Sequence, residues 1–404
     1  MSSKAVMIPL AALCVCLFVA IVPGGFSQTE KQPLPEPITI SIWGIPEFDQ
    51  YRGVHEAIRE FQRRHPHITV QVGAPGGSAD LDPQKLLTAV AAGTPPDLIL
   101  QDRFTISGWA ARGAFLALND LVARDGIDSS EFYEACWNEA IYRGKVYGIP
   151  WDTDARGLYY NRSIMRQYGY NRSPENWDEL AEWGAKMTRR KGVSVYEQVG
   201  FAPLWGNTYL SLYSWQNGGS LLSDDGLRCT MTDVKNIESL AWMKKAYDAI
   251  GGYPSVRGFE YAGGFGGMVD PFITGRVVMI INGTWVLDDI VRHKPDLDFG
   301  VVIPPGPAGG ESLTWSGGFA MAIPAASRHI EEAWALAKWL TFEEGQLYQG
   351  QKQQEFNRSI GKDFYIPRFT CQRALNKKLF ERFPAPNENM QAVINSFLDM
   401  LNHS

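Results

Sequence analysis

The sequence predicts an α/β protein of two domains, with a ligand cleft where the chain passes between them. Three observations lead there. Residues 38–72 read strand, helix, strand, the length of one βαβ unit. A further helix and buried strand follow up to Leu100, and such alternation implies a parallel sheet with right-handed crossovers. Residues 144–161, GKVYGIPWDTDARGLYYN, then set two strand-like runs on either side of a short polar segment.

That last stretch organises the rest. Residues 146–149 read as a strand, and Pro150 removes a backbone donor and breaks its ladder. Trp151, Asp152, Asp154 and Arg156 follow, all able to contact a ligand, before a second strand at 158–160. The reading is a hinge at the mouth of a cleft, since pocket residues favour inter-domain positions. The plain alternative is a strand–turn–strand with a solvated acidic loop.

In chain order, Lys4 and the uncharged apolar run 5–22 make a targeting segment. Pro23, Gly24 and Gly25 break it, and Gly25-Phe26-Ser27 predicts cleavage near Ser27 and export to the periplasm; an uncleaved anchor on the outer face of the membrane is the other outcome. Residues 28–37, with three prolines, read as a linker. Ile38, Ile40 and Ile42 alternate with polar residues as a strand ending at Trp43. Val54, Ile58 and Phe61 share a helix face that stops before Pro66, and Ile68, Val70 and Val72 alternate again. Residues 86–92 form a helix and 98–100 a buried strand, with further helix over 109–122. Beyond the hinge, helices are expected at 177–191, 237–250, 286–291 and 330–340, and strands at 277–281, 299–303 and 319–323. Tyr213 and Trp215 read as core, and Trp205, between Pro203 and Gly206, as a candidate for the cleft.

Composition narrows the function. The chain has 404 residues, 45% hydrophobic and 20% charged, which is ordinary for a folded protein of two domains. A net charge of −6 argues against a nucleic-acid partner. Cys136, Cys229 and Cys371 are far apart without CxxC spacing, and the His residues form no ligand pattern, so neither a metal nor another cofactor is expected. The 13 Trp are the unusual feature. In open α/β sheets ligands bind beyond the carboxyl ends of the strands; Trp43, Glu47, Gln101, Asp102, Arg103 and Phe104 fall there.

Six segments stand out in order: GTPPD at 93–97, GAFLALND at 113–120, the GKVYGIP…YYN stretch, NWDEL at 176–180, 272–285 and 315–340. Together they resemble the extracellular solute-binding proteins of bacterial ABC importers, the large carbohydrate-binding group known as solute-binding protein family 1. The resemblance runs nearly end to end and the pieces keep the family's order. It implies a two-lobed periplasmic-binding-protein fold of type II character with three hinge crossings. These would lie near Trp151, at 316–319 and at 351–358. The lobes would then be 38–150 with 317–353, and 151–316 with 354–404. It also implies no catalysis, closure around the ligand, a monomeric receptor, and delivery to a membrane permease. The family's binding arginine lies in an LPAR-like segment; here the residues are Ile366-Pro367-Arg368-Phe369, with Arg368 one place out.

A sugar presents apolar CH faces and a rim of hydroxyls. Aromatic rings cover the faces, and carboxylates or Arg satisfy hydroxyls that cost about 1–3 kcal/mol each if buried unpaired. Trp43, Trp151, Trp285 and Trp315, all beside strand ends, are the expected stacking rings, with Trp205 a further candidate. Glu47, Asp102, Asp152, Asp154 and Arg368 are the expected hydroxyl partners, with Gly317 on the second crossing. Arg103 either binds a hydroxyl or braces Asp102. The competing class is an exported glycoside hydrolase using Asp152 and Asp154, which would need its carboxyls about 5–10 Å apart. Within the binding-protein reading, a polyamine, a metal chelate or a phosphodiester such as glycerol-phosphate is the alternative ligand.

Overall fold

The computed structural model describes residues 36–73, 83–192, 195–263, 269–362 and 364–402. The expected targeting segment and all but the last two residues of the linker lie outside them.

Ile38–Trp43 pairs in parallel with Ile68–Gly73 along its whole length and with Leu98–Asp102 on its other side. Phe319–Ala322 adds antiparallel to Leu98–Asp102, and Ile149–Pro150 closes the far edge. Pro150 therefore ends an edge strand, where its missing N–H costs no ladder bond. Ile40 and Ile42 point into the core as the period-two pattern requires, fully buried. The helix Arg52–Arg64 packs there through Val54, Ala57, Ile58 and Phe61 and stops before Pro66.

A second, three-stranded sheet has Gly157–Asn161 in the centre, antiparallel to Met279–Asn282 and to Phe299–Val302. The helix Trp177–Lys186 starts at Asn176, whose side chain accepts from Glu179 N at 3.0 Å. With Val234–Ala249 it covers one side of this part, around a core holding Leu180, Leu212 and Tyr213.

The chain passes between the two sheets three times. Residues 151–156 make the first pass and 314–318 the second. They pair as a short antiparallel ribbon, Ser316 opposite Ala155 and Gly317 opposite Asp154. The third pass is later than the sequence suggests. Residues 343–359 are one continuous helix, Glu343–Ser359, which packs on Arg52–Arg64, so the expected break at 353/354 lies inside a helix. Gly53 allows this approach: a Cβ there would sit 2.2 Å from Gln349 O. Residues 364–372 then run along the first pass, with Thr153 N donating to Phe369 O at 2.9 Å. The chain reaches the second sheet with Glu388–Leu401, whose Phe397 packs against Tyr159.

Candidate ligand-binding cleft

A cleft of about 1190 Å³ opens between the two sheets, with the three passes as its floor. The first pass leaves the sheet with Trp151 N still bonded to Phe319 O at 2.9 Å. Alternation therefore holds: Trp151 faces the core, as Ile149 does, and Asp152 faces the cleft floor. The Asp152 carboxylate accepts from Phe319 N, where the second pass enters its strand, at 2.7 Å and from Arg368 Nη1 of the third pass at 3.2 Å. One side chain thus joins all three passes. Arg368 also donates to Tyr51 Oη at 3.0 Å and lies over that ring, 4.2 Å from its centroid. Burial pushes the Asp152 carboxyl above its usual range, against the Arg368 charge and the Phe319 N–H. Arg368 is held above its usual range: burial opposes this, and Tyr51 and Asp152 outweigh it.

Arg103 makes a second knot from the first sheet's side. Its Nε donates to Glu139 at 2.9 Å, Nη2 to Gly317 O at 2.6 Å, and Nη1 to Asp152 O and to Cys371 Sγ. Asp154 accepts from Gly317 N at 2.9 Å and from Arg156. The Arg156 guanidinium stacks on Trp315, 3.5 Å from the ring centroid, with Trp285 on at 5.1 Å. Burial lowers Arg156 to about 9, with Tyr209 and Asp102 opposing, so it stays cationic at neutral pH.

The walls carry exposed aromatic surface from both sheets. Phe104, at the start of the helix that follows Leu98–Asp102, is 83% exposed. Opposite it on the second sheet's side stand Tyr209, Trp285 and Trp215, 56%, 41% and 38% exposed. Among the described residues, six carboxylates line the cleft (Asp102, Glu139, Asp152, Asp154, Asp288, Glu311) against three guanidiniums, Arg156, Arg292 and Arg368.

Of the residues expected in the site, Asp102, Asp152, Asp154, Trp285, Trp315, Gly317 and Arg368 line the cleft. Five do not. Trp151 is fully buried with its Nε1 donating to Leu340 O at 2.9 Å, so it offers no stacking face. Trp205 is buried edge-on against Phe259 at 5.3 Å. Trp43 lies over Gly73 in the cluster with Leu86 and Ile99. Glu47 is on the surface, 3.7 Å from His55. Arg103 is buried and braces the passes rather than Asp102. Asp102 itself caps the helix Arg103–Ala111 through Phe104 N at 2.9 Å.

Sequence reasoning assigned Trp215 to the core and gave Phe104 and Tyr209 no stacking role. The signal for Trp215 was present: on a helix it stands about 200° from Tyr213, so only one of the two can share the buried face. Gln346, Gln349 and Gln353 also line the cleft, from the unexpected helix.

The family model for bacterial extracellular solute-binding proteins matches residues 46–347. The chain belongs to that family. An arabinooligosaccharide-binding protein of Bacillus subtilis is 22% identical over 347 residues, 82% of this chain and 75% of that protein. A binding protein of Brucella abortus is 28% identical over 291 residues, 70% of this chain and 67% of its own length. Among solved structures, CpMnBP1 with mannotriose bound superposes with a TM-score of 0.69 at 24% identity, covering 90% of this chain and all of that one. The family and these relatives are binding proteins, and the two-lobed α/β fold is theirs. No helix among the described residues is long and apolar enough to cross a membrane.

Proposed function

We propose that this chain is the exported receptor of an ABC importer and binds a neutral di- or oligosaccharide in the cleft. The observation that carries the reading is the exposed aromatic surface on both walls: Phe104 on one side and Tyr209, Trp215 and Trp285 on the other. Rings on opposed walls suit a ligand with two apolar faces, and the polar floor suits its hydroxyls. The sugar-binding relative and the mannotriose-bound structure agree with this choice. In this reading one lobe is 38–150 with 317–359, and the other is 156–316 with 388–402. The lobes close by bending at the passes, and the loaded monomer hands its ligand to a permease.

Catalysis is disfavoured by how the floor acids are committed. Asp152 serves Phe319 N and Arg368, and Asp154 serves Gly317 N and Arg156. Each carboxylate accepts bonds that tie the passes together, and proton donation to a substrate would compete with those ties. A second reading, a cationic solute such as a polyamine, is favoured by the surplus of carboxylates along the lining. The same surplus opposes an anionic glycerol-phosphate, by like-charge repulsion in a partly desolvated site.

Isothermal titration against neutral oligosaccharides, polyamines and glycerol phosphates tests this. Micromolar or tighter binding of one neutral sugar, with no product after long incubation, is expected. Binding confined to polyamines moves the ligand to the second reading. Sugar turnover refutes the receptor.

A further inference from the structure

We propose that Cys136 and Cys371 are joined by a disulfide in the mature protein, fastening the third pass to the helix Glu134–Glu139 beside the cleft. The inference rests on the exported-receptor reading for its oxidising surroundings, and on the following geometry for its site.

Both residues are fully buried, and both are thiols in this structure. The backbones that carry them are already joined. Tyr133 N, one turn before Cys136, donates to Cys371 O at 2.9 Å, and Phe132 bridges Gln372. The two sulfurs converge on consecutive residues of the first pass. Cys371 Sγ donates to Asp152 O at 2.9 Å, and Cys136 Sγ to Thr153 Oγ1 at 3.4 Å. In the closed fold Arg103 Nη1 stands 3.1 Å from Cys371 Sγ, but burial outweighs that cation and raises the Cys371 thiol well above its usual range. Cys229, the third cysteine of the described residues, is exposed in a loop and not part of this arrangement.

The reaction is exchange with a disulfide of an oxidising compartment, a protein oxidant or oxidised glutathione. One thiolate attacks that disulfide and expels a thiolate; the second cysteine then attacks the mixed disulfide. The S–S bond formed here is matched by one broken in the oxidant, which leaves as two thiols. Because both sulfurs are buried in the fold, exchange takes place before folding closes the site. Once made, the link holds the third pass to the first sheet's side, and bending of the floor is left to the two paired passes.

The test refolds the reduced full chain in a glutathione redox buffer, alkylates it in denaturant without reductant, and reads each cysteine-bearing peptide by mass spectrometry. The Cys229 peptide is expected to be alkylated, with Cys136 and Cys371 recovered as one linked peptide pair. Reduction should free both and lower the melting temperature by about 5 °C or more. Cys371→Ser should leave Cys136 open to alkylation, while Cys229→Ser should keep the link. Alkylation of all three peptides without reductant, or a link that includes Cys229, overturns the proposal. The same peptides from protein exported by its host separate the two premises. A link after refolding but free thiols after export refutes the exported, oxidising location and leaves the site's geometry supported.

Discussion

Two tryptophans that the sequence treats alike should fail in different ways when removed. Trp285 is 41% exposed and lines the cleft. An aromatic side chain offers about 150–250 Å², so about 100 Å² of Trp285 is available to a ligand. At about 25 cal/mol per Å² this is about 2.5 kcal/mol if wholly covered, and about 1 kcal/mol if one ligand covers less than half. Trp285→Ala should therefore weaken the sugar by about 5- to 70-fold. Its stability cost should be small, since the Arg156 guanidinium stands 5.1 Å from the Trp285 ring centroid and stacks more closely on Trp315. Trp151 is fully buried and bonded to Leu340 O; Trp151→Ala should cost about 3–5 kcal/mol of stability through the cavity it leaves. Titration calorimetry and urea denaturation on both variants read the two effects separately. The reasoning is refuted if Trp285→Ala keeps its affinity within twofold while folded, or if Trp151→Ala loses affinity at unchanged stability.

Three further outcomes follow from the passes and the surface. Asp152→Asn leaves Arg368 without its counter-charge; because Arg368 is about a quarter exposed, a loss of about 2 kcal/mol in urea denaturation is expected rather than the full cost of a broken buried pair, and an unchanged midpoint would remove Asp152 from its tying role. Gly318 has φ +127°, and a Cβ there would sit 2.3 Å from Asp152 O, so Gly318→Ala should cost about 1–3 kcal/mol; a neutral result would show that the passes yield easily. Glu60 accepts from Arg63 and Arg64, which lower its carboxyl to about 2. With an unfolded value of about 4.3, its stabilisation is present above that pH and lost as pH falls toward 2. The melting temperatures of the wild type and Glu60→Gln should therefore differ at pH 6 and converge near pH 2; a constant gap would contradict this.

The first sheet was legible because Ile38, Ile40 and Ile42, like Ile68, Val70 and Val72, alternate against polar neighbours. The helix Glu343–Ser359 was not. Its buried face is Gly345, Gln346, Gln349, Gly350, Gln353 and Asn357, held by hydrogen bonds such as Gly53 N to Gln353 at 2.9 Å, so the apolar period that marks a helix is absent. That gap displaced the expected third pass. Within the site, residue type could say that a Trp or an acid stands near a strand end, but not which way it points. Alternation from Ile149 would have sent Trp151 inward; Trp43 and Trp205 needed the packing of distant segments, around Gly73 and Phe259. Arg103 was left open for a similar reason: its partners Gly317, Cys371 and Asp152 come together only in the fold.

The ribbon of Asp154–Ala155 with Ser316–Gly317 has a consequence for which contacts can drive closure. A hinge axis that runs through a pair of strands barely displaces the groups sitting on it. Asp154 and Gly317 would meet a bound ligand at nearly the same distance in open and closed forms, and a contact made equally in both forms cannot favour either. Phe104, Tyr209 and Trp285 belong to elements on either side of the ribbon rather than to the ribbon itself, so a bend there moves them relative to one another. Under the proposed closure, the free energy that shuts the lobes would then come from the rings, while the floor would set how strongly the open form first holds a ligand.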